Sequence, residues 1–228
     1  LHIPIAHVEA GLRSFNRDMP EEVNRVLTDH ISTELFAPTD AAVENLVREG
    51  FRRDRIMQVG DVMFDAALHF GDKAKHRLQL LDQLKVGSDG FVLATVHRAG
   101  NTDDPQRLAA IYEGLQAVSD EMPVVWPVHP RTRNALQKAG FASQGQGTVR
   151  FTEPLSYFDM VTLESHSRMI ATDSGGVQKE AYFFGKPCAV FRAETEWTEL
   201  VDLGWTTLLD PVDAHTVQAG LRQMLAQP

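Results

Sequence analysis

A parallel α/β fold is what this sequence predicts, and three observations predict it. From about residue 91 to the end, short β-branched runs alternate with stretches carrying apolar residues at three- and four-residue spacing, the pattern of a parallel sheet wrapped by helices. The run Thr172-Asp173-Ser174-Gly175-Gly176 lies between one such strand and one such helix. The 228 residues, 43% of them hydrophobic, suffice to bury one large core or two small ones.

In chain order, residues 3–8 read as a strand, 20–31 as a helix, 34–37 as a second strand and 40–49 as a second helix, which makes one α/β unit. Residues 56–67 join it to the remainder of the chain, so a domain boundary is expected near Gly60 and Asp61, dividing the chain into 1–60 and 61–228 with an active cleft between the halves. The second part alternates strands at 91–97, 124–129, 148–151, 168–172, 187–191 and 206–209 with helices at 105–119, 132–138, 156–165, 177–184, 198–203 and 214–225. That is a doubly wound domain, and in such sheets ligands sit outside the carboxyl ends of the strands. The polar stretch 142–148 reads as an exposed loop, and no internal repeat is visible. The chain opens at Leu1 directly in an apolar strand, which leads us to expect that an N-terminal part of the domain precedes it.

Composition narrows the function classes. With 31 acidic against 22 basic side chains and a net charge of −9, a broad nucleic-acid footprint is disfavoured, because phosphate backbones attract basic stripes. The single cysteine, Cys188, excludes an internal disulfide framework and a cysteine-rich metal site and suits a reducing compartment such as the cytoplasm. No apolar run has the length of a membrane span and no signal-peptide pattern opens the chain, so no membrane partner is expected.

Five strand-end motifs carry the candidate chemistry. At Ser174, Gly175 and Gly176, side-chain-free backbone at a helix N-terminus suits an anion, with the helix dipole adding a favourable field. A plain N-cap by Asp173 or Ser174 explains the same residues equally well. Glu180 lies one turn further on, where a carboxylate can grip paired ribose hydroxyls or simply face solvent. His97 and Arg98 follow the strand residues 91–96, and His129, Arg131 and Arg133 follow the strand residues 124–128, placing two basic clusters at neighbouring strand ends of an acidic protein. Glu9 ends the first strand, and Glu21 opens the following helix. Two carboxylates from separate elements can act as general acid and base, although Asp18 with Glu21 and Pro20 also spells a capping box, the more ordinary reading. Finally, Arg192 precedes Glu194-Thr195-Glu196-Trp197, where Thr195 can cap the next helix or, with the glutamates, hold sugar hydroxyls.

Taken together, the segments HVEAGLRS, PEEVNR, FAPTD, VGDVMFDA, TVHRAGNTDD, TDSGGVQKEA and GKPCAVFRAETEW resemble, in order and over nearly the whole chain, the non-hydrolysing UDP-N-acetylglucosamine 2-epimerase family. The spellings ETEW, HPRTR and RSFNRDMPEE look more like the branch acting on UDP-2,3-diacetamido-2,3-dideoxy-hexuronic acids. The resemblance implies two Rossmann-like domains of glycosyltransferase-B type, the N-terminal one incomplete here because the family's Gly-Thr-Arg-Pro-Glu motif and a further catalytic aspartate are not in these 228 residues. A closing Asn-Pro-Tyr-Gly-Asp-Gly stretch is likewise not among them, and a sheet lacking part of its strands would expose apolar surface.

By motif matching, the resemblance places Glu9, Glu21 and His97 in catalysis. It places Arg25, Arg98, Ser174, Gly175, Gly176, Glu180 and Arg192 on the substrate, and residues 151–155 beside the uracil. It further implies elimination and re-addition of UDP through a glycal, no metal or nicotinamide cofactor, a UDP-sugar as the partner molecule and a homodimer. Alternatives that the residues leave open are a hydrolysing epimerase that releases UDP, a glycosyltransferase of the same shape, and a UDP-sugar binding module without turnover.

Overall fold

The computed structural model describes residues 2–74, 78–87, 90–141 and 149–226, and its chain divides into two units. The first comprises Leu1–Asp65 together with Glu194–Glu199, and the second Ala66–Ala193 with Leu200–Pro228. The expected loop at 142–148 lies outside the described residues.

The first unit contains β1 (Ala6–Val8), α1 (Pro20–Ile31), β2 (Glu34–Ala37), α2 (Asp40–Arg48) and, after a 3₁₀ turn, β3 (Ile56–Gln58). The three strands run parallel in the order β1-β2-β3. The expected strand 3–8 shortens because ladder pairing begins only at Ala6, and the Ile5 carbonyl instead accepts from the Thr33 and Glu34 amides. The segment 56–67, expected as a joiner, begins with a true strand: Ile56, Met57 and Gln58 pair with Leu35, Phe36 and Ala37. Thr39 caps α2, its hydroxyl accepting from the Ala42 amide at 3.2 Å, and α2 packs Ala42, Val43 and Leu46 into a core with Leu35 and Ala37. At Gly11, φ is +84°, and a Cβ there would stand 2.2 Å from the Ala42 carbonyl oxygen, so the loop after β1 can lie on α2 only as glycine.

Helix α1 is turned inside out relative to the usual amphipathic pattern. Its buried positions are Glu22 and Asp29, two turns apart, while Val23, Leu27 and Ile31 are exposed. No capping box forms: Met19 is the N-cap, without a side-chain bond, and Pro20 starts the helix.

Across the division runs α3 (Val62–Ala74), and the second unit continues with α4 (Gln79–Gln83), β4 (Val92–Thr95), α5 (Ala99–Thr102), α6 (Pro105–Ser119), β5 (Val124–Pro127), α7 (Pro130–Lys138) and β6 (Val149–Thr152). It then adds α8 (Tyr157–His166), β7 (Met169–Thr172), α9 (Gly175–Phe183), β8 (Cys188–Val190), α10 (Thr198–Asp202), whose first two residues belong to the other unit, β9 (Thr206–Leu208) and α11 (Ala214–Leu225). All six strands are parallel, in the order β6-β5-β4-β7-β8-β9. Alternate residues feed opposite faces. Val92, Ala94, Val124, Trp126, Met169 and Ala171 join the core under α6, α7 and α11, while Leu93, Val125, Ile170 and Cys188 join one shared with α4, α8 and α9. Burial on both faces explains why these strands read as continuous apolar runs rather than alternating ones.

Helix starts follow their caps. Asp104 accepts from the Gln106 and Arg107 amides ahead of Pro105, and Asp213 accepts from the Thr216 amide at 2.7 Å. Helix α7 starts two residues before the expected 132, because the His129 ring accepts from the Arg131 amide and Pro130 suits the first helical position. Helix α9 starts at Gly175 rather than 177, with Ser174 as its cap. Among the described residues no helix is long and apolar enough to cross a membrane.

Candidate functional site

Counting strands within the second unit in chain order, its sheet reads 3-2-1-4-5-6, so the direction of winding reverses between β4 and β7. The carboxyl ends of those two strands are where an open α/β sheet binds its ligand. His97 and Arg98 follow β4, and Ser174, Gly175 and Gly176 follow β7, so the structure brings these five expected residues to one edge. Asp173, fully buried, fastens them. Its carboxylate accepts from the His97 amide at 3.1 Å, the Arg98 amide at 3.0 Å and the Asn101 side chain at 3.1 Å. The His97 ring lies 3.4 Å from the same carboxylate through Nδ1 and is 47% exposed, so Asp173 orients an imidazole that stays open to a ligand. Below, the Thr95 and Thr172 hydroxyls meet at 2.6 Å, and Asn101 also donates to the Phe191 carbonyl after β8. Three strand ends are thus tied together.

Ser174 does cap α9, accepting weakly from the Val177 amide at 3.5 Å. This leaves the first-turn amides of Gly175 and Gly176, which have no intrahelical partner by the geometry of any helix start, available to an anion. The other basic cluster is differently employed. His129 is a cap, Arg131 pairs with Asp103 and Arg133 with Glu153. Arg192, following β8, is buried.

Glu180 is not a solvated helix glutamate. It is 5% exposed and hydrogen-bonded to the Tyr157 hydroxyl and to Glu164, which is 1% exposed. Burial pushes Glu180 above the usual carboxylate range, against the lowering effects of Tyr157, Lys179 and Glu164, and burial and the Glu180 charge push Glu164 well above it. Tyr157 rises to about 12 for the same reasons, burial first and then the Glu180 charge.

In the first unit, Glu9 stands one residue beyond β1 with φ at 67°. Glu21 occupies the first turn of α1 with its side chain exposed, while its neighbour Glu22 is buried and committed. Glu22 accepts from the Ser14 amide and hydroxyl, the Phe15 amide and Arg25. Burial opposes its charge, but these donors prevail and hold it below the ordinary value. Arg25 lies 2.9 Å from Glu22 and 3.7 Å from Glu196, and Asn16 donates to Glu194 at 2.7 Å, so the Glu194–Glu199 segment is anchored on this unit. Thr195, buried ahead of α10, accepts from the Trp197 amide at 3.2 Å. Asp29, wholly buried, takes the His7 ring at 2.5 Å, Arg13 at 2.7 Å and the Gly11 amide at 3.1 Å, and Arg13 continues to Glu49. Among the described residues no group of three or more acidic, histidine or cysteine side chains is placed to hold a metal.

A strand-order reversal carrying an amide-lined helix start and an oriented histidine has the donors and the field that an anion needs. A family model described as UDP-N-acetylglucosamine 2-epimerase matches residues 1–228. This chain belongs to that family. Within it, the UDP-2,3-diacetamido-2,3-dideoxy-D-glucuronate 2-epimerase of Pseudomonas aeruginosa is 51% identical over 212 residues, covering 92% of this chain and 57% of the relative. The crystal structure of the Methanocaldococcus jannaschii UDP-GlcNAc 2-epimerase in complex with UDP-GlcNAc and UDP superposes with a TM-score of 0.91 at 38% identity, covering 99% of this chain and 63% of that one. The Neisseria meningitidis enzyme bound to UDP-GlcNAc gives 0.87 at 32% identity, covering 97% and 61%. The chain therefore spans about three-fifths of the length of these 2-epimerases, and its α/β architecture is of their Rossmann-like, glycosyltransferase-B type.

Sequence reasoning missed Asp173 as a fastener, Asn101, Asp29, Tyr157 and Glu164. Asn101 and Asp173 belong to the strand-end motifs TVHRAGNTDD and TDSGGVQKEA, where their neighbours drew the attention. Glu164 gave no signal, since one acidic residue on a helix is ordinary.

Proposed function

We propose that the protein carrying this chain is a non-hydrolysing 2-epimerase of a UDP-N-acetylhexosamine, and that its preferred sugar is the 2,3-diacetamido uronic type. The observation that supports it most is the reversal point of the second unit's sheet, where His97, Arg98 and the amides of Gly175 and Gly176 share one edge beneath Asp173. The identity of 51% to the Pseudomonas enzyme supports the choice of sugar.

In this reading the labour divides between 1–60, which supplies chemistry, and 61–228, which holds UDP. A carboxylate, Glu9 or Glu21, removes the proton from carbon 2 while the bond from carbon 1 to the diphosphate oxygen breaks and UDP leaves with the electron pair. A glycal remains bound. The other carboxylate then protonates carbon 2 on the opposite face as UDP adds back, so each group ends the cycle in the state the reverse reaction needs. The leaving diphosphate gathers charge, and His97, Arg98 and the helix-start amides are the donors that stabilise it where that charge develops. Ser174 and Arg192 border the diphosphate, Glu180 takes the ribose hydroxyls, and Arg25 fixes the loop that carries the sugar. No metal or nicotinamide enters any step. We extend the proposal to a homodimer in the cytoplasm, which the single buried cysteine suits.

Proton NMR in deuterium oxide with UDP-N-acetylglucosamine and with its 2,3-diacetamido uronic analogue tests the reading. Deuterium is expected at carbon 2 with UDP still attached, faster for the uronic sugar. Free UDP accumulating in step with product would mean a hydrolysing enzyme instead, and UDP binding without exchange would leave a binding module.

A further inference from the structure

Two buried carboxyl groups in direct contact stand out, because a protein interior does not hold two adjacent carboxylate charges. Glu164 projects from α8 and Glu180 from α9; they are 1% and 5% exposed and are hydrogen-bonded to each other. Each side chain also has one buried oxygen without a conventional donor, Glu164 Oε2 and Glu180 Oε1. Carboxylates only accept, so a bond between the two requires a proton, and one shared proton relieves both deficits.

The surroundings decide which group carries it. Glu180 has the Tyr157 hydroxyl as a donor and the positive charge of Lys179 nearby. Glu164 has neither; its charge acts also on Tyr157 and on Cys188 of β8, whose thiol burial keeps neutral. The negative charge therefore belongs on Glu180 and the proton on Glu164. A carboxylate has about four acceptor sites. With Glu164 and Tyr157 taking two, Glu180 retains capacity for a pair of hydroxyls.

We propose that Glu164 is a positioning residue for the nucleotide: a neutral carboxylic acid that donates to Glu180 and holds it as an oriented carboxylate for the ribose hydroxyls of UDP. This rests on the reading of Glu180 as the carboxylate that takes the ribose. The acid is chosen over an apolar residue because Glu180, buried to this depth and left with Tyr157 as its one donor of this pair, would more readily take up a proton and become a donor competing for one hydroxyl rather than accepting from both. It also makes nucleotide affinity depend on a proton. As pH rises through the range in which Glu164 ionises, a second charge forms beside Glu180 and the grip loosens.

Calorimetric titration of the full chain with UDP and with 2′,3′-dideoxy-UDP tests this across pH 6 to 9.5. Glu164→Leu is expected to weaken UDP about tenfold, the worth of one hydrogen bond to a charged group, while leaving the dideoxy nucleotide within about twofold. Glu164→Gln, which keeps a neutral donor, is expected to retain UDP affinity at neutral pH and to lose the alkaline decline that the unaltered protein shows. A folded Glu164→Leu protein that binds UDP normally would overturn the proposal. So would a Glu164→Gln protein with an unchanged alkaline decline, and that comparison decides the matter if the leucine variant does not fold. Glu180→Gln separates the two ideas: if it leaves the preference for UDP over the dideoxy nucleotide intact, the ribose role of Glu180 itself is wrong. If it abolishes that preference and the Glu164 variants do not alter it, only the role of Glu164 falls.

Discussion

Glu9 sits at φ 67°, in the left-handed region that side chains other than glycine seldom occupy. Its neighbours hold it there. The Ala10 amide donates to the Phe36 carbonyl, and the Gly11 amide donates to Asp29, so the backbone on the C-terminal side is fastened at both residues. Such conformations cost about 1–3 kcal/mol and persist where the surroundings over-determine them, often at working sites. The neighbouring acidic pair shows the converse. Glu22 spends its carboxylate on the loop through Ser14 and Phe15, whereas its neighbour Glu21 is exposed, so the first residue builds the loop and the second is the one the proposed chemistry can draw on. We expect Glu9→Gln to lower deuterium exchange at carbon 2 by at least about a thousandfold, the upper range of a general base's contribution. UDP affinity should stay within about threefold, because the amide keeps the shape and the nucleotide is held elsewhere. Unchanged exchange would remove Glu9 from the chemistry.

Among elements, α1 is the instructive one. A helix is normally located by its apolar stripe, yet here the inward stripe is Glu22 and Asp29, and the outward one is Val23, Leu27 and Ile31. The carboxylates face inward because the loop after β1 brings them Arg13, His7 and amides in place of water. That loop depends on Gly11, where a methyl group would meet the Ala42 carbonyl at 2.2 Å in a backbone conformation unfavourable to alanine. Gly11→Ala should therefore destabilise the first unit by about 2 kcal/mol or more, from overpacking and left-handed strain together, read as a lowered urea midpoint; a change below about 0.5 kcal/mol would show that the loop relaxes freely.

The bounds of α1, β2, α6 and α11 were legible in the sequence because proline or an aspartate cap marks the start of each helix and β2 ends against the Thr39 cap. The start of α9 was not, since glycines in a first turn look like a loop, and neither was the inward face of α1, whose logic lies in partners distant along the chain. At the candidate site, strand-end residues were readable from position alone. Asp173, Asn101 and Glu164 were not, because each acts through a residue on another strand or helix.

For the molecule as a whole, the buried carboxyl groups of the two units respond to pH in opposite directions. In the first unit, Asp29 and Glu22 lie below their ordinary values: burial opposes the charge, and hydrogen bonds from His7, Arg13 and Gly11 to the one, and from Ser14, Arg25 and Phe15 to the other, outweigh it. A carboxyl lowered by folding contributes stability that is complete above its unfolded value, about 4, and is lost as pH falls through the folded one. In the second unit, Glu164 and Glu180 are raised, by burial first and for Glu164 also by the Glu180 charge. A carboxyl raised by folding stabilises fully below its unfolded value, about 4.3, and that contribution declines as pH rises through the folded one. Net charge, already −9, grows more negative with pH and acts on the whole chain, so a uniform decline would not distinguish the units. Substitutions do. Urea titrations from pH 3.5 to 9, read by hydrogen exchange in peptides of each unit, should show the first unit losing stability on the acid side and the second losing it as pH rises above about 4.3. Asp29→Asn should flatten only the acid limb, at a cost of about 3 kcal/mol for the buried pair it breaks, and Glu164→Gln should flatten only the other. Parallel limbs in both units, untouched by either substitution, would mean that these buried carboxyl groups do not govern the pH dependence of folding.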